Sequence, residues 1–262
     1  MTLVSAFTRR LPLPPAVRKR LAGYRVRLSR MMQRLIDFPA RLRFSRFVKG
    51  KRIAIVGPAW SVHGTGQGPA LDSYDIVMRF NTAVPVKADA VPDIGSRTDI
   101  LCNCLEPDPI NGGPIQPQCW FDQGVRWVLS PYPRDLDIAQ GNIRRFERLN
   151  KGLLHFIAMD GQRYACLQRL LQTRPNSGTL GILFLLGFPV HSLYVTGITF
   201  GRGGYHPGYK PGISAEQYEL LANSAIHQQH PQEAFFRAVA AKDQRIQMDA
   251  VLSHIIRNGS IS

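Results

Sequence analysis

A chain of 262 residues is long enough to bury a full core, and it fits one α/β domain with a small appendage better than two equal domains. The net charge of +15 is concentrated at one end: residues 1–52 hold 15 Lys or Arg against a single acid, Asp37, and carry +14, whereas the rest of the chain, with 18 basic and 17 acidic side chains, carries +1. A near-neutral body with no zinc-finger or RNP pattern excludes nucleic acid as its partner, and no window reaches the ~18–20 apolar residues of a membrane span.

The first predicted element is a basic helix. Leu21, Tyr24, Leu28, Met31 and Leu35 recur at steps of three or four, with Arg18, Arg20, Arg25, Arg27, Arg30 and Arg34 largely between them, and Pro39 is expected to end it. Residues 17–38 can lie on an anionic membrane surface, dock on the body, or act as a targeting presequence. Next comes a short β-branched run, Ile53 to Val56, which breaks at Gly57 into a loop holding Gly64, Gly66 and Gly68. This reads as a buried parallel strand feeding a turn whose glycines let backbone amides approach a phosphate, or as a tight connection with no ligand.

Residues 105–120, dense in Pro, Gly and Asn, read as a loop. Val125 to Leu129 and Leu153 to Ala158 read as strands, Leu136 to Leu149 and Arg163 to Gln172 as helices, and the alternation predicts a mostly parallel sheet flanked by helices. Asp135 and Asp137 form a D-x-D that could hold a divalent metal on a nucleotide diphosphate, but their place ahead of a helix favours capping. Pro175-Asn176-Ser177-Gly178-Thr179-Leu180 opens an apolar stretch to Val190. Its hydroxyls and the free amides of a helix start offer a neutral floor for a nucleotide, or simply cap a buried helix. Gly201 to Gly212 is a loop with Tyr205, His206 and Tyr209, able to stabilise charge on a leaving phosphate or to pin a lid. Phe235 to Ala241 and Val251 to Ile256 read as closing helices.

Two blocks carry more than their periodicity. The first is Leu71-Asp72, Tyr74-Asp75, Val77, Arg79-Phe80-Asn81 and Pro92-Asp93-Ile94-Gly95-Ser96-Arg97-Thr98-Asp99; the second is the Pro175 to Leu180 turn with His191 to Phe200 behind it. They resemble the large and small sialylmotifs of the sialyltransferase family, glycosyltransferase family 29, as a bacterial-type member without a transmembrane anchor. His227-Gln228-Gln229-His230-Pro231-Gln232-Glu233 resembles the family's H-x4-E segment, with His227 one residue too far from Glu233 and His230 two too near. Pro58 stands where the family usually has Asn, so one polar contact to the donor is expected to be missing or moved.

The resemblance covers residues 50–256 and implies a GT-A-like variant Rossmann fold, with residues 1–52 as a basic segment and 53–262 as the catalytic domain. It implies inverting transfer of a nonulosonic acid, sialic acid or Kdo, from a CMP-sugar to a hydroxyl of a glycan or glycolipid acceptor. No metal or other cofactor is expected, because CMP carries one phosphate. His227 or His230 would be the base; Gly57, Asn81, Ser177, Gly178, Thr179, Tyr205, His206 and Tyr209 would bind the donor; Asp75, Arg79, Asp93, Gly95, Thr98 and Glu233 would brace the motifs. His63, His155, His191 and His254 lack such context. Cys102, Cys104, Cys119 and Cys166 have no metal-type spacing, and the family's bridge between the two motifs has no second cysteine here, which suits a reducing compartment and a cytoplasmic or membrane-peripheral enzyme. The alternatives are a metal-dependent nucleotide-diphosphate-sugar transferase using Asp135 and Asp137, and a non-catalytic CMP-sugar-binding protein.

Overall fold

A computed structural model of the chain describes residues 15–207, 209, 210, 214, 216, 217, 220 and 228–258. Contacts divide the chain between Pro39 and Ala40, upstream of the 52/53 division suggested by charge. Helix α1, Pro15–Val48, runs through Pro39 rather than ending there. Proline removes one intrahelical hydrogen bond, but the turns after it are held by packing. Phe44 and Val48 are fully buried, and the Phe44 ring meets Trp127, Phe184 and Phe188 edge-on at 5.0, 5.6 and 5.0 Å.

Seven strands form one sheet: β1 Arg52–Val56, β2 Ile76–Phe80, β3 Ile100–Cys102, β4 Trp127–Ser130, β5 His155–Ala158, β6 Ser192–Thr196 and β7 Ile246–Met248. Their order is β5-β4-β3-β2-β1-β6-β7 and every pairing is parallel. The inner strands are buried on both faces, which is why they read as largely apolar runs, interrupted in β2 by Arg79. The helices after α1 are α2 Gly68–Asp72, α3 Val91–Ile94, α4 Pro117–Asp122, α5 Asp137–Asn150, α6 Gly161–Leu171, α7 Ser177–Leu186, α8 Gln229–Ala240 and α9 Ala250–Asn258. Most other elements read from the sequence lie within a few residues of these bounds; α8 starts at Gln229, well before the expected Phe235, and α4 begins inside the 105–120 stretch read as a loop. The strands β3 and β7, three residues each, are too short to show a period.

The chain leaves β1 toward β2 on one side and returns as β6 on the other. That reversal is a topological switch point, where a doubly wound sheet opens a crevice beyond its carboxyl ends. The two strand ends there approach closely: a Cβ on Gly57 would lie 2.2 Å from the Gly197 carbonyl oxygen, and one on Gly197, at φ 68°, 2.3 Å from that of Gly57. Only glycine fits at either position.

Candidate functional site

The first motif is a self-contained brace. Arg79, 1% exposed in the middle of the sheet, donates from Nε to the Arg97 carbonyl (3.0 Å) and Thr98 Oγ1 (3.1 Å), and from Nη2 to the carbonyls of Ile94 (2.5 Å) and Gly95 (2.9 Å). Burial pulls its pKa down to about 10, against the opposing pull of Asp72, so it stays charged at neutral pH. Asp72 accepts from the Ser96 and Arg97 amides at 2.8 and 3.0 Å, and Asp75 from the Arg52 amide at 2.8 Å. The Arg79 and Asp72 bonds fix the turn around Gly95, whose φ of 74° favours glycine.

The glycine loop does not present the phosphate cradle that its sequence suggests. Asp93 accepts from the Gly64 amide at 2.7 Å and the Gly66 amide at 2.9 Å, and the amides of Gly66 and Gly64 hold its carboxyl below the usual carboxylate range. The Gly57 N–H is bonded to the Thr196 carbonyl at 2.8 Å. Gly57, read from sequence as a donor contact, instead lines a smaller, mostly apolar cavity of about 250 Å³ with Val62, Phe80, Val86, Ile94 and His206.

A second, more polar cavity of about 460 Å³ lies beyond the carboxyl ends of β1, β2, β3, β4 and β6. It brings together Asn81, Ser177, Gly178, Tyr205 and Tyr209 of the predicted donor contacts. Asn81 follows β2 with φ 49°, a left-handed conformation that Asn tolerates better than most residues, and its Oδ1 accepts from the Cys104 amide at 3.1 Å. Ser177 and Gly178 are the first two residues of α7. The helix is capped by Asn176, whose Oδ1 accepts from the Thr179 N–H at 2.8 Å, so Thr179 lies buried beneath the floor instead of lining it. Helix α8 grips the same turn: Asn176 donates from its amide to Gln232 Oε1 (2.9 Å) and from Nδ2 to Gln229 Oε1 (3.0 Å).

Two cations in this cavity escaped the sequence reading. Lys210 lies over the rings of Tyr205 and Tyr209, 5.2 and 5.6 Å from their centroids, and donates to the Ile110 carbonyl. Burial pulls its pKa down to about 8. Arg174 pairs with Glu106 at 3.1 Å and covers the Tyr132 ring at 4.7 Å. The available signal was position: Arg174 immediately precedes the Pro175 turn, and Lys210 closes the Tyr-rich loop. Burial raises the Tyr205 hydroxyl to about 12, keeping it a proton donor at neutral pH.

The remaining predicted residues are dispersed. His206 faces Asp93 across 3.9 Å and lines the smaller cavity. His230 is exposed in the first turn of α8, beside Gln229, which lines the larger cavity; His227 lies outside the described residues. The Gln228 N–H bonds Thr173 Oγ1 at 3.1 Å, holding the start of α8 at the cavity rim. Glu233 is buried between Arg202 (2.7 Å) and Arg237 (2.8 Å). Asp137 opens α5, and the Asp135 carboxylate sits 2.7 Å from where a Gly161 Cβ would stand, at the start of α6; neither lines either of these two cavities. The four cysteines are unpaired, with Cys102 and Cys104 buried.

A parallel sheet with a polar cavity at its switch point defines an α/β protein of the doubly wound, Rossmann-like type. The family model for glycosyltransferase family 29 (sialyltransferase) matches residues 15–155, and the chain belongs to that family. It is therefore a glycosyltransferase of the sialyltransferase kind. Comparison with curated proteins returns no significant match. Among solved structures, the chain is similar to a mammalian sialyltransferase in complex with Gal-beta-1-3GalNAc-ortho-nitrophenol, at 16% identity and TM-score 0.52, over 78% of this chain and 71% of that one. A second mammalian sialyltransferase structure matches at 16% identity and TM-score 0.53, over 78% and 70%. At that identity the likeness is one of fold.

Proposed function

We propose that the protein transfers a nonulosonic acid from its CMP ester to a hydroxyl of a glycan or glycolipid, with inversion and without a metal. The observation that carries this reading is the 460 Å³ cavity, in which Asn81, the start of α7, two tyrosines and two cations converge. Ser177 and Gly178 would accept the nucleotide at a helix N-terminus, where free amides and the helix dipole favour an anion. Lys210 and Arg174 would supply the charge that the monophosphate and the sugar carboxylate need, and the Tyr205 hydroxyl a neutral hydrogen bond to the leaving phosphate.

In this reading a histidine, His227 or His230, takes the acceptor hydroxyl proton. The acceptor oxygen bonds the anomeric carbon from the face opposite the phosphate, and the carbon–phosphate-oxygen bond breaks with its electron pair leaving on CMP. Release of CMP from CMP-Neu5Ac and CMP-Kdo, with EDTA present and across a panel of acceptors, tests this. Acceptor-dependent release, lost in one of His227→Ala and His230→Ala, is the expected result. Calorimetric CMP binding with no release from either donor would leave the non-catalytic binder instead. The placement of Asp135 and Asp137 at helix starts, outside both cavities, disfavours the metal-dependent alternative.

Association with an anionic membrane is a separate proposal, supported by Tyr24, Met31, Leu35 and Phe38, all exposed and spaced along one side of α1 among arginines. It would place the enzyme peripherally on a cytoplasmic membrane face. Cosedimentation with phosphatidylglycerol vesicles but not with phosphatidylcholine ones is expected, and equal recovery with both would contradict it.

A further inference from the structure

Three metal-ligating side chains that the transfer chemistry does not use converge between the loops after β1 and β6. His63 Nδ1 lies 3.4 Å from Asp93 Oδ2. His206 Nε2 approaches the same oxygen at 3.9 Å. One ligand atom from each lies within 4.8 Å of the others, and the two imidazoles meet edge to face with centroids 5.4 Å apart. His206 is 7% exposed, and its Nε2 is buried without a hydrogen-bond partner, an arrangement that proteins seldom retain unless something fills the position.

We infer that His63, Asp93 and His206 form a binding site for a zinc-class divalent cation, with three protein ligands and a fourth position left open. Ligand atoms held tetrahedrally at about 2.0–2.2 Å from zinc stand roughly 3.4 Å apart. His63 and Asp93 already have that separation, and the exposed His63 side chain is free to turn toward His206. The two imidazoles and one carboxylate suit zinc or its neighbours in the first transition row, not magnesium or calcium, which want oxygen alone. The Gly64 and Gly66 amides orient the carboxylate from behind, as outer-shell donors do in metal sites.

A cation here would tie α3, through Asp93, to two loops already joined by the His206 N–H to Pro58 carbonyl bond (2.7 Å) and the Trp60 N–H to Gly204 carbonyl bond (3.2 Å). Those loops wall both cavities. The role of the cation is to lock this wall, not to take part in the transfer, so the inference does not depend on the donor being a CMP-sugar.

The test uses the full chain, stripped with EDTA and dialysed, then titrated with zinc chloride by calorimetry and with cobalt(II) while the visible spectrum is recorded. One zinc per chain, a raised Tm and the visible bands of four-coordinate cobalt without thiolate charge transfer are expected. His63→Ala, which removes an exposed side chain, and His206→Gln should each weaken zinc at least roughly tenfold, since losing even an outer-shell partner costs 10–100-fold. His254→Ala should leave zinc affinity unchanged. Absence of stoichiometric binding, equal binding by His63→Ala, or thiolate-to-cobalt bands pointing to cysteines would overturn the site. CMP titrated into the stripped protein separates the two readings: its failure to bind would count against the donor cavity and leave the zinc result standing.

Discussion

Two small-residue turns of this protein look alike in sequence and differ in what their polar groups are bonded to. In the loop after β1, the Gly64 and Gly66 amides are held by Asp93 and the Gly57 amide by Thr196. At the start of α7, Asn176 caps the Thr179 amide, while Ser177 and Gly178 are left facing the larger cavity with Asn81, Tyr205, Tyr209 and Lys210. An anion-binding turn whose amides already carry an internal carboxylate is a brace; one that opens on a cavity beside two cations is the one proposed here to take the ligand.

The contrast breaks most visibly at Arg79. Arg79→Leu leaves four acceptor atoms, three carbonyl oxygens and Thr98 Oγ1, without their donor. It should cost about 3 kcal/mol or more, lowering Tm by roughly 6–12 °C in thermal unfolding. Lys210→Met should do the reverse: CMP affinity falls roughly ten- to hundredfold in calorimetry, the range for a charged hydrogen bond, with no loss of Tm, since the mutation removes a buried charge. If Arg79→Leu weakened CMP binding without a Tm change, the brace and the site would have to exchange places.

The pH dependence sharpens the same point. The Lys210 pKa, lowered by burial from 10.5 to about 8, means that above pH 8 the folded chain loses a proton that the unfolded chain keeps up to about 10.5. In that window this group's contribution to stability rises with pH, because the unfolded state binds more protons. CMP affinity, which needs the ammonium, should fall over the same range. Lys210→Met should lose both trends in parallel denaturation and calorimetric series. The smallest effect is expected at Ser177→Ala, about 1 kcal/mol, or roughly five- to tenfold in CMP affinity, from one neutral hydrogen bond.

Much of the sheet and the helices around it was legible because buried parallel strands and capped helices leave local signatures. Pro39 was misleading, since tertiary packing of Phe44 and Val48 outweighs one lost hydrogen bond. Asn81, Ser177, Gly178, Tyr205 and Tyr209, expected from their motifs to meet the donor, share one cavity. Gly57 and Thr179, expected from the same motifs to meet the donor, do not line that cavity, because sequence gives a residue's type but not the bonding of its amide. Lys210, Arg174 and His63 drew no attention in the sequence for the complementary reason. Each gains its significance from a partner far along the chain, Lys210 from Ile110, Arg174 from Glu106 and His63 from Asp93, and no local spacing announces such pairs.

The most direct test is a calorimetric titration of CMP into wild type, Lys210→Met and Val86→Trp, the last filling the smaller cavity beside Gly57. One CMP per chain, weakened by Lys210→Met and untouched by Val86→Trp, is the predicted result. Binding that survives Lys210→Met but is lost in a folded Val86→Trp would put the nucleotide against the glycine loop and contradict the assignment of the larger cavity.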